Sequence, residues 1–202
     1  YVYDDLFYYP AYPILSVMAQ HTQRIHLGAC LNNGFFRHPA ILASNYAFLH
    51  RLIGNRAVMG IGRGAFFDLL GLNDDEAFTR KGFEETIALV HHFLLGNKQT
   101  FTGEVFKASH KAFLKIPLPE NPQIVTATWN VKMAKLAGIF GTQLQIAEVW
   151  EEHYMMKLFN SYHEGAKESG ISANPHFSIG GMICMGHSEK EALDKARPTV
   201  AV

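Results

Sequence analysis

Apolar and polar positions along this chain alternate between two periods. Short apolar runs of strand length are separated by longer stretches whose apolar residues recur every three or four positions. Tyr1-Val2-Tyr3 reads as the tail of a strand, and Pro13 to Gln20 as a helix. Arg24 to Leu31 reads as a buried strand. Pro39 then opens a helix where its missing N–H costs nothing. Ile41, Leu42, Asn45, Leu49 and Leu52 include the three- and four-residue steps of one helix face, which stops near Gly54. A strand over Ala57 to Ile61 follows. Asn73 with Glu76 reads as a capping pair for a helix carrying Phe83, Ile87, Val90 and Leu94, and Gly96 suits its end.

The next stretch has another texture. Thr100 to Phe106 reads as a small hairpin, and Ala112 to Pro122, with three prolines, as an extended surface connector. Alternation then resumes. Gln123 to Ala127 and Gln143 to Ala147 read as strands, with a short helix from Val131 to Ala137 between them. Tyr154, Leu158, Tyr162 and Ala166 step by four along a helix that Gly170 ends. Phe177 to Met185 reads as another strand, and Ser188 with Glu191 as a capping box for a last helix. Strands alternating with helices imply an α/β fold with a parallel sheet covered by helices. The candidates are a doubly wound open sheet and an eight-stranded barrel. About six strands fall in the alternating pattern, and 202 residues is short against the about 250 of a full barrel. The expectation is one domain over 1–202, an incomplete or reduced barrel of the TIM (β/α)8 type.

Composition narrows the function. Lys plus Arg and Asp plus Glu balance at 18 each, so no net field draws the chain to nucleic acid or to an anionic membrane. No apolar run reaches the ~18 residues of a membrane span. Cys30 and Cys184 both lie in apolar strand-like runs, which predicts buried free thiols and a reducing, cytoplasmic setting. His91-His92 point about 100° apart on a helix and make a poor metal pair. No zinc-type spacing and no nucleophile elbow occur, so no metal site is expected.

Gly60-Ile61-Gly62-Arg63-Gly64 carries the strongest chemical signal. Glycines at a strand end let the backbone approach a ligand, and arginine offers a planar fork of donors suited to phosphate. Neither G-x-G-x-x-G nor a P-loop is present. Phe7 to Tyr12 and Phe35-Phe36 fall in predicted strand-to-helix loops, where barrel active sites form, which predicts an aromatic-walled pocket.

Several of these segments resemble the bacterial luciferase-like group. They are Arg24-Ile25-His26-Leu27-Gly28, Asn32-Asn33, Arg37-His38-Pro39-Ala40, Leu49 to Arg56 and the Gly60 to Gly64 run. They stand in the group's order and spacing from Tyr1 to about Gly71, and the likeness loosens toward the C-terminus. The resemblance implies an eight-stranded barrel that binds flavin mononucleotide (FMN) or its deazaflavin relative, coenzyme F-420. The Asn32 to Ala40 segment is closer to the deazaflavin branch, which includes methylene-tetrahydromethanopterin reductases. By the same resemblance the first strand-helix unit and the last one or two have no counterpart here.

The resemblance also assigns roles. A non-proline cis peptide is expected at Cys30–Leu31 or one bond earlier, as a bulge behind the ring. Asn33 is either a donor to the ring edge or a turn residue. Arg63 corresponds to a contact with the cofactor phosphate, the alternative being a surface arginine. Thr128, Trp129 and Asn130 match a strand-to-helix junction that receives the phosphate. Thr128 can equally be a plain N-cap, and Trp129 a core or interface aromatic. The group often carries a histidine where this chain has Asp5 or Leu6. Asp5 could act as an acid/base only if burial raised its pKa. The implied function is an oxidoreductase working by hydride transfer or flavin-dependent monooxygenation of a small organic substrate, as a homodimer. The alternative is a non-catalytic flavin-binding protein or partner subunit on the same barrel. A cofactor-free barrel hydrolase is a third reading.

Overall fold

A computed structural model describes residues 1–4, 9–118, 122–147, 151–171, 177–180 and 184–200. Its first half runs α1 (Ala11–His21), β1 (Leu27–Asn32), α2 (Pro39–Ile53), β2 (Ala57–Ile61) and α3 (Glu76–Leu94). A hairpin of β3 (Phe101–Thr102) and β4 (Lys107–Ala108) follows. The second half runs β5 (Ile124–Ala127), α4 (Val131–Phe140), β6 (Gln143–Ala147), α5 (Glu152–Glu168), β7 (Phe177–Gly180) and α6 (Glu189–Val200).

The main sheet has the order β1-β2-β5-β6-β7, and every pair in it is parallel. Val2 bridges in parallel to Ala29, which marks a further strand position outside β1. Neighbours in space are therefore neighbours in the chain, joined by crossovers, as in the staves of a TIM-type barrel. The sheet curls strongly: Cys30 on β1 reaches Gln145 on β6 at 3.6 Å, across β2 and β5. Among the described residues β1 and β7 do not pair, so this reduced barrel is curled but not closed.

Period-two alternation decides which side chains meet the helices. Leu27, Ala29, Ala57, Met59, Ile61 and Ile124 face outward into one core with Leu15, Leu42, Tyr46, Leu49, Phe83 and Ile87. Leu144 and Ile146 do the same with Ala134, Ala137, Leu158 and Tyr162 in a second core. Each large side chain buried this way stabilises by about 1.5–3 kcal/mol. The α4–α5 crossing is closer than side chains allow. A Cβ on Gly138 would run into the Tyr162 carbonyl of α5, and one on Gly165 into the Lys135 carbonyl of α4.

Glu85 on α3 is buried, and its carboxylate accepts three backbone N–H bonds from the hairpin turn. They come from Glu104 at 2.8 Å, Val105 at 3.0 Å and Phe106 at 2.8 Å. Hydrogen bonds to a charged group contribute about 1.5–3 kcal/mol each, though not additively. Glu85→Gln keeps the shape but replaces one acceptor by a donor. It is expected to lower stability by about 1–2 kcal/mol, read as a lower urea midpoint with an unchanged m-value.

Three expectations are corrected. The N-cap of α3 is Asp75, whose carboxylate accepts from Phe78 N at 2.9 Å; Asn73 instead closes a local turn by accepting from Asp75 N. Glu76 sits at N1, directly after the Asp75 cap, so it is not the N3 residue of a capping box begun by Asn73. The second hairpin strand begins at Lys107, past the expected end at Phe106. Cys184 is exposed rather than buried; it follows β7, which ends at Gly180. Among the described residues no helix is long and apolar enough to cross a membrane.

Candidate active site

The site is built on an irregularity in β1. Residues Ala29 to Asn32 take three steps on β1 while their partners Met59 to Ile61 take two on β2. The Cys30–Leu31 peptide within this bulge is cis. Both side chains lie over glycines, Gly60 of β2 and Gly62 just past its end. A Cβ on Gly60 would stand 2.7 Å from Cys30 Sγ, and one on Gly62 2.7 Å from Leu31 Cδ1. Gly60 and Gly62 share a strand face, so consecutive residues Cys30 and Leu31 occupy the same face. Met59 and Ile61 face the helices, so this is the inner, concave face. The glycines of the Gly60 to Gly64 run thus first answer an internal demand: they make room for the neighbouring strand.

Asn32 ties the bulge down. It is fully buried, and its Nδ2 donates to Gly60 O at 2.9 Å and to Ala29 O at 3.3 Å. Cys30 donates to Gln145 Oε1. Burial pushes its thiol up to about 11, so it stays protonated near neutral pH.

The carboxyl ends of three adjacent strands bring the expected rim residues to one side. Ile61 pairs with Thr126, and Arg63 and Thr128 each lie two residues further on. Asn32 pairs with Ile61, which puts Asn33 at the same rim. Asn33 is buried, and its Oδ1 accepts from Phe35 N at 3.0 Å and Phe36 N at 2.9 Å. Its carbonyl oxygen is therefore engaged in a turn, and only the Nδ2 side remains to offer. Gly64, at φ +92°, brings the backbone to that side: a Cβ there would be 2.9 Å from Asn33 Nδ2. Arg63 is exposed and joins no ion pair among the described residues.

At the start of α4, Asn130 is the N-cap and accepts from Lys132 N at 2.9 Å and Met133 N at 3.3 Å. Thr128 Oγ1 accepts from Asn130 N at 2.9 Å. Three amides of the helix end, those of Asn130, Lys132 and Met133, are thus satisfied internally, so the end is less open than the sequence leads one to expect. Trp129 is 60% exposed, so it is not a core aromatic; Tyr154 holds its carbonyl with a 2.8 Å hydrogen bond. Asp5, the expected acid/base, lies outside the described residues, as do Leu6 and Phe7.

Next to Asp5, Asp4 is buried and grips Arg37 through two bonds, Nε to Oδ2 at 2.7 Å and Nη2 to Oδ1 at 2.9 Å. Ala11 N adds a third donor at 3.3 Å. Burial, then the Asp4 charge, raises the Tyr12 phenol, which stays neutral. Phe35 packs on Phe67, Phe78 and Phe106, and Phe36 on Phe67. These rings lock the β1–α2 and β2–α3 loops to α3 and the hairpin. A cavity of about 340 Å³ lined by His38, Phe93, Lys107 and Phe113 shares no residue with this face.

Comparison with known proteins places the arrangement. The profile described as luciferase-like monooxygenase matches residues 2–202. The chain belongs to the luciferase-like monooxygenase family. It is 34% identical over 131 residues to a 5,10-methylenetetrahydromethanopterin reductase of Methanolobus tindarius, covering 63% of this chain and 38% of the relative. An F-420-dependent glucose-6-phosphate dehydrogenase of Mycolicibacterium fortuitum is 27% identical over 168 residues, 79% of this chain and 49% of the relative. The chain thus spans half or less of the length of these relatives. Among solved structures, a coenzyme F-420 dependent tetrahydromethanopterin reductase from Methanopyrus kandleri superimposes with a TM-score of 0.82 at 24% identity, over 98% of this chain and 62% of that one. The oxygenating constituent of a 3,6-diketocamphane monooxygenase from Pseudomonas putida, in complex with FMN, gives 0.76 at 16% identity, over 97% and 60%. These likenesses carry the TIM-type fold.

Within this luciferase-like frame, sequence reasoning missed three side chains near the site. Asp4 was passed over for Asp5, although its partner Arg37 was in view. Gln145 was read only as the polar half of an alternating strand. Asn32 was read only within a motif, although a buried amide beside glycines signals a backbone needing partners.

Proposed function

We propose that this chain binds FMN or coenzyme F-420 and serves an oxidoreductase reaction on a small organic substrate, by hydride transfer or flavin-dependent monooxygenation. The observation that carries the reading is the Cys30–Leu31 bulge seated over Gly60 and Gly62 on the concave face, with exposed Arg63 at the same rim. Gly60 and Gly62 let Cys30 and Leu31 lie close against the neighbouring strand, so the bulge offers a low surface on which a flat ring can rest. The names of similar proteins include both cofactors, coenzyme F-420 and FMN.

When bound, such a ring supplies the electron-pair chemistry. The chain's part is to hold, orient and shield. Cys30 and Leu31 wall one side of the ring, and Asn33 Nδ2 is a donor for its edge. Arg63 takes the phosphate, with the Thr128 hydroxyl as a second donor, since its oxygen already accepts from Asn130. Asn130 acts by fixing that turn, and Trp129 flanks the mouth. Asp5 is the candidate acid/base. Titration of purified protein with FMN, and separately with coenzyme F-420, is expected to give a saturable change in tryptophan fluorescence for one of them. No change with either overturns the reading.

The missing imidazole at Asp5 or Leu6 favours the rival, a binding subunit without turnover. Tight binding with no oxidation of reduced cofactor by aldehyde, alcohol or pterin acceptors supports that rival. Two free thiols fit a reducing, cytoplasmic setting.

The chain is further proposed to form a homodimer. Ile41, Phe48 and Leu52 form an exposed apolar stripe on α2, beside exposed Ile14 and Val17 on α1. Phe48→Glu is expected to halve the mass seen by light scattering. A monomeric mass for the unaltered chain rejects the dimer.

A further inference from the structure

We infer that Gln145 is a positioning residue for the bound ligand, its side-chain amide presenting N–H donors from the barrel floor to a carbonyl or ring-nitrogen acceptor of a flat heteroaromatic ring. The inference rests on the proposed cofactor reading and deepens it. Leu144 and Ile146 are fully buried among the helices, so the alternation of β6 turns Gln145 to the concave face. The Cys30 contact confirms that direction, because it spans two intervening strands on the inner side.

A long polar side chain at this point is chemically odd for a packed barrel floor. Its strand partners are Ala127 on β5 and Ser178 on β7, both too short to cover the amide. Cys30 has one thiol proton and donates it to Oε1, and burial keeps that proton on sulfur. The acceptor end of the amide is thereby anchored. The Nε2 end has no partner among the described residues. It stands on the same face as Cys30, Gly60 and Gly62. An anchored amide with free donors selects a ligand edge that accepts, and it favours a flat ring over an aliphatic chain.

The test uses purified protein with FMN and with coenzyme F-420, read by dissociation constant and by the absorption band of the bound chromophore. Gln145→Leu is expected to weaken binding about threefold to tenfold, the range of one neutral hydrogen bond. It is also expected to shift the bound chromophore's band, with the thermal midpoint close to that of the unaltered chain. Gln145→Glu, equal in size but lacking donors, is expected to shift the band likewise and decides the matter if the leucine variant fails to fold. Arg63→Ala weakens binding without a shift. If the unaltered chain binds while the Leu and Glu variants bind equally well with an unmoved band, the role of Gln145 is overturned and the cofactor reading stands. If the unaltered chain binds neither cofactor, both fall.

Discussion

Arg37→Ala is expected to lower the unfolding free energy by about 3 kcal/mol, the low end of the ~3–5 kcal/mol for breaking a buried ion pair. The asymmetry of the pair sets that figure. The Asp4 side chain is 3% exposed, and Arg37 keeps 33% of its surface in water. Removing the arginine strands a buried carboxylate that, among the described residues, retains only the Ala11 amide at 3.3 Å. Removing Asp4 instead leaves a guanidinium that can rehydrate, so Asp4→Ala is expected to cost less. Arg37→Lys should recover only part of the loss, because an ammonium cannot reproduce two parallel bonds. Equilibrium urea unfolding of the three variants checks the order. Equal midpoints for Arg37→Ala and the unaltered protein would sink the assignment. The pair ties the N-terminal segment onto the β1–α2 loop.

Arg63→Ala is expected to weaken cofactor binding by roughly 1.5–3 kcal/mol, about tenfold to 150-fold, with little effect on folding. An exposed guanidinium that joins no ion pair among the described residues contributes little to stability. Facing a phosphate it makes charge-assisted bonds, which are the strong ones. The separation of the two effects is the diagnostic: affinity falls while the thermal midpoint stays. Fluorescence titration and a melting curve on the same sample measure both. Unchanged affinity in a protein that binds FMN or coenzyme F-420 removes Arg63 from the phosphate site.

Much of this molecule was legible from pattern, for local reasons. β2 and β6 begin and end where expected, because alternating Leu144 and Ile146 and the run Ala57 to Ile61 are dictated by one-sided or full burial. The α2 start at Pro39 and the ends after α3 and α5, at Gly96 and Gly170 with positive φ, are set by single residues acting on their own backbone. Cap identity at α3 was misjudged because Asn73, Asp74 and Asp75 are all competent caps, and only the path of the chain selects one. Cys184 was misplaced because its apolar neighbours continue beyond β7, whereas burial depends on what packs against them.

The site divides along the same line. The glycine-arginine motif pointed to Arg63 and the family resemblance to Cys30, Leu31, Asn33 and the Thr128 to Asn130 turn, but neither indicated a partner for any of them. Gln145 lies 115 residues from Cys30, and Glu85 meets amides 19 to 21 residues away. Such pairings follow from how far the sheet curls and which faces meet, quantities without a local signature. By itself the order of residues determined the parallel α/β alternation, the helix punctuation and the position of the glycine-arginine rim, because each depends on neighbours within a few residues. The tertiary structure alone decided that the glycines are there for Cys30 and Leu31, that Asp4 clamps Arg37, and that an amide stands on the floor. Those outcomes arise only when strands distant in the chain bend around a shared concave face.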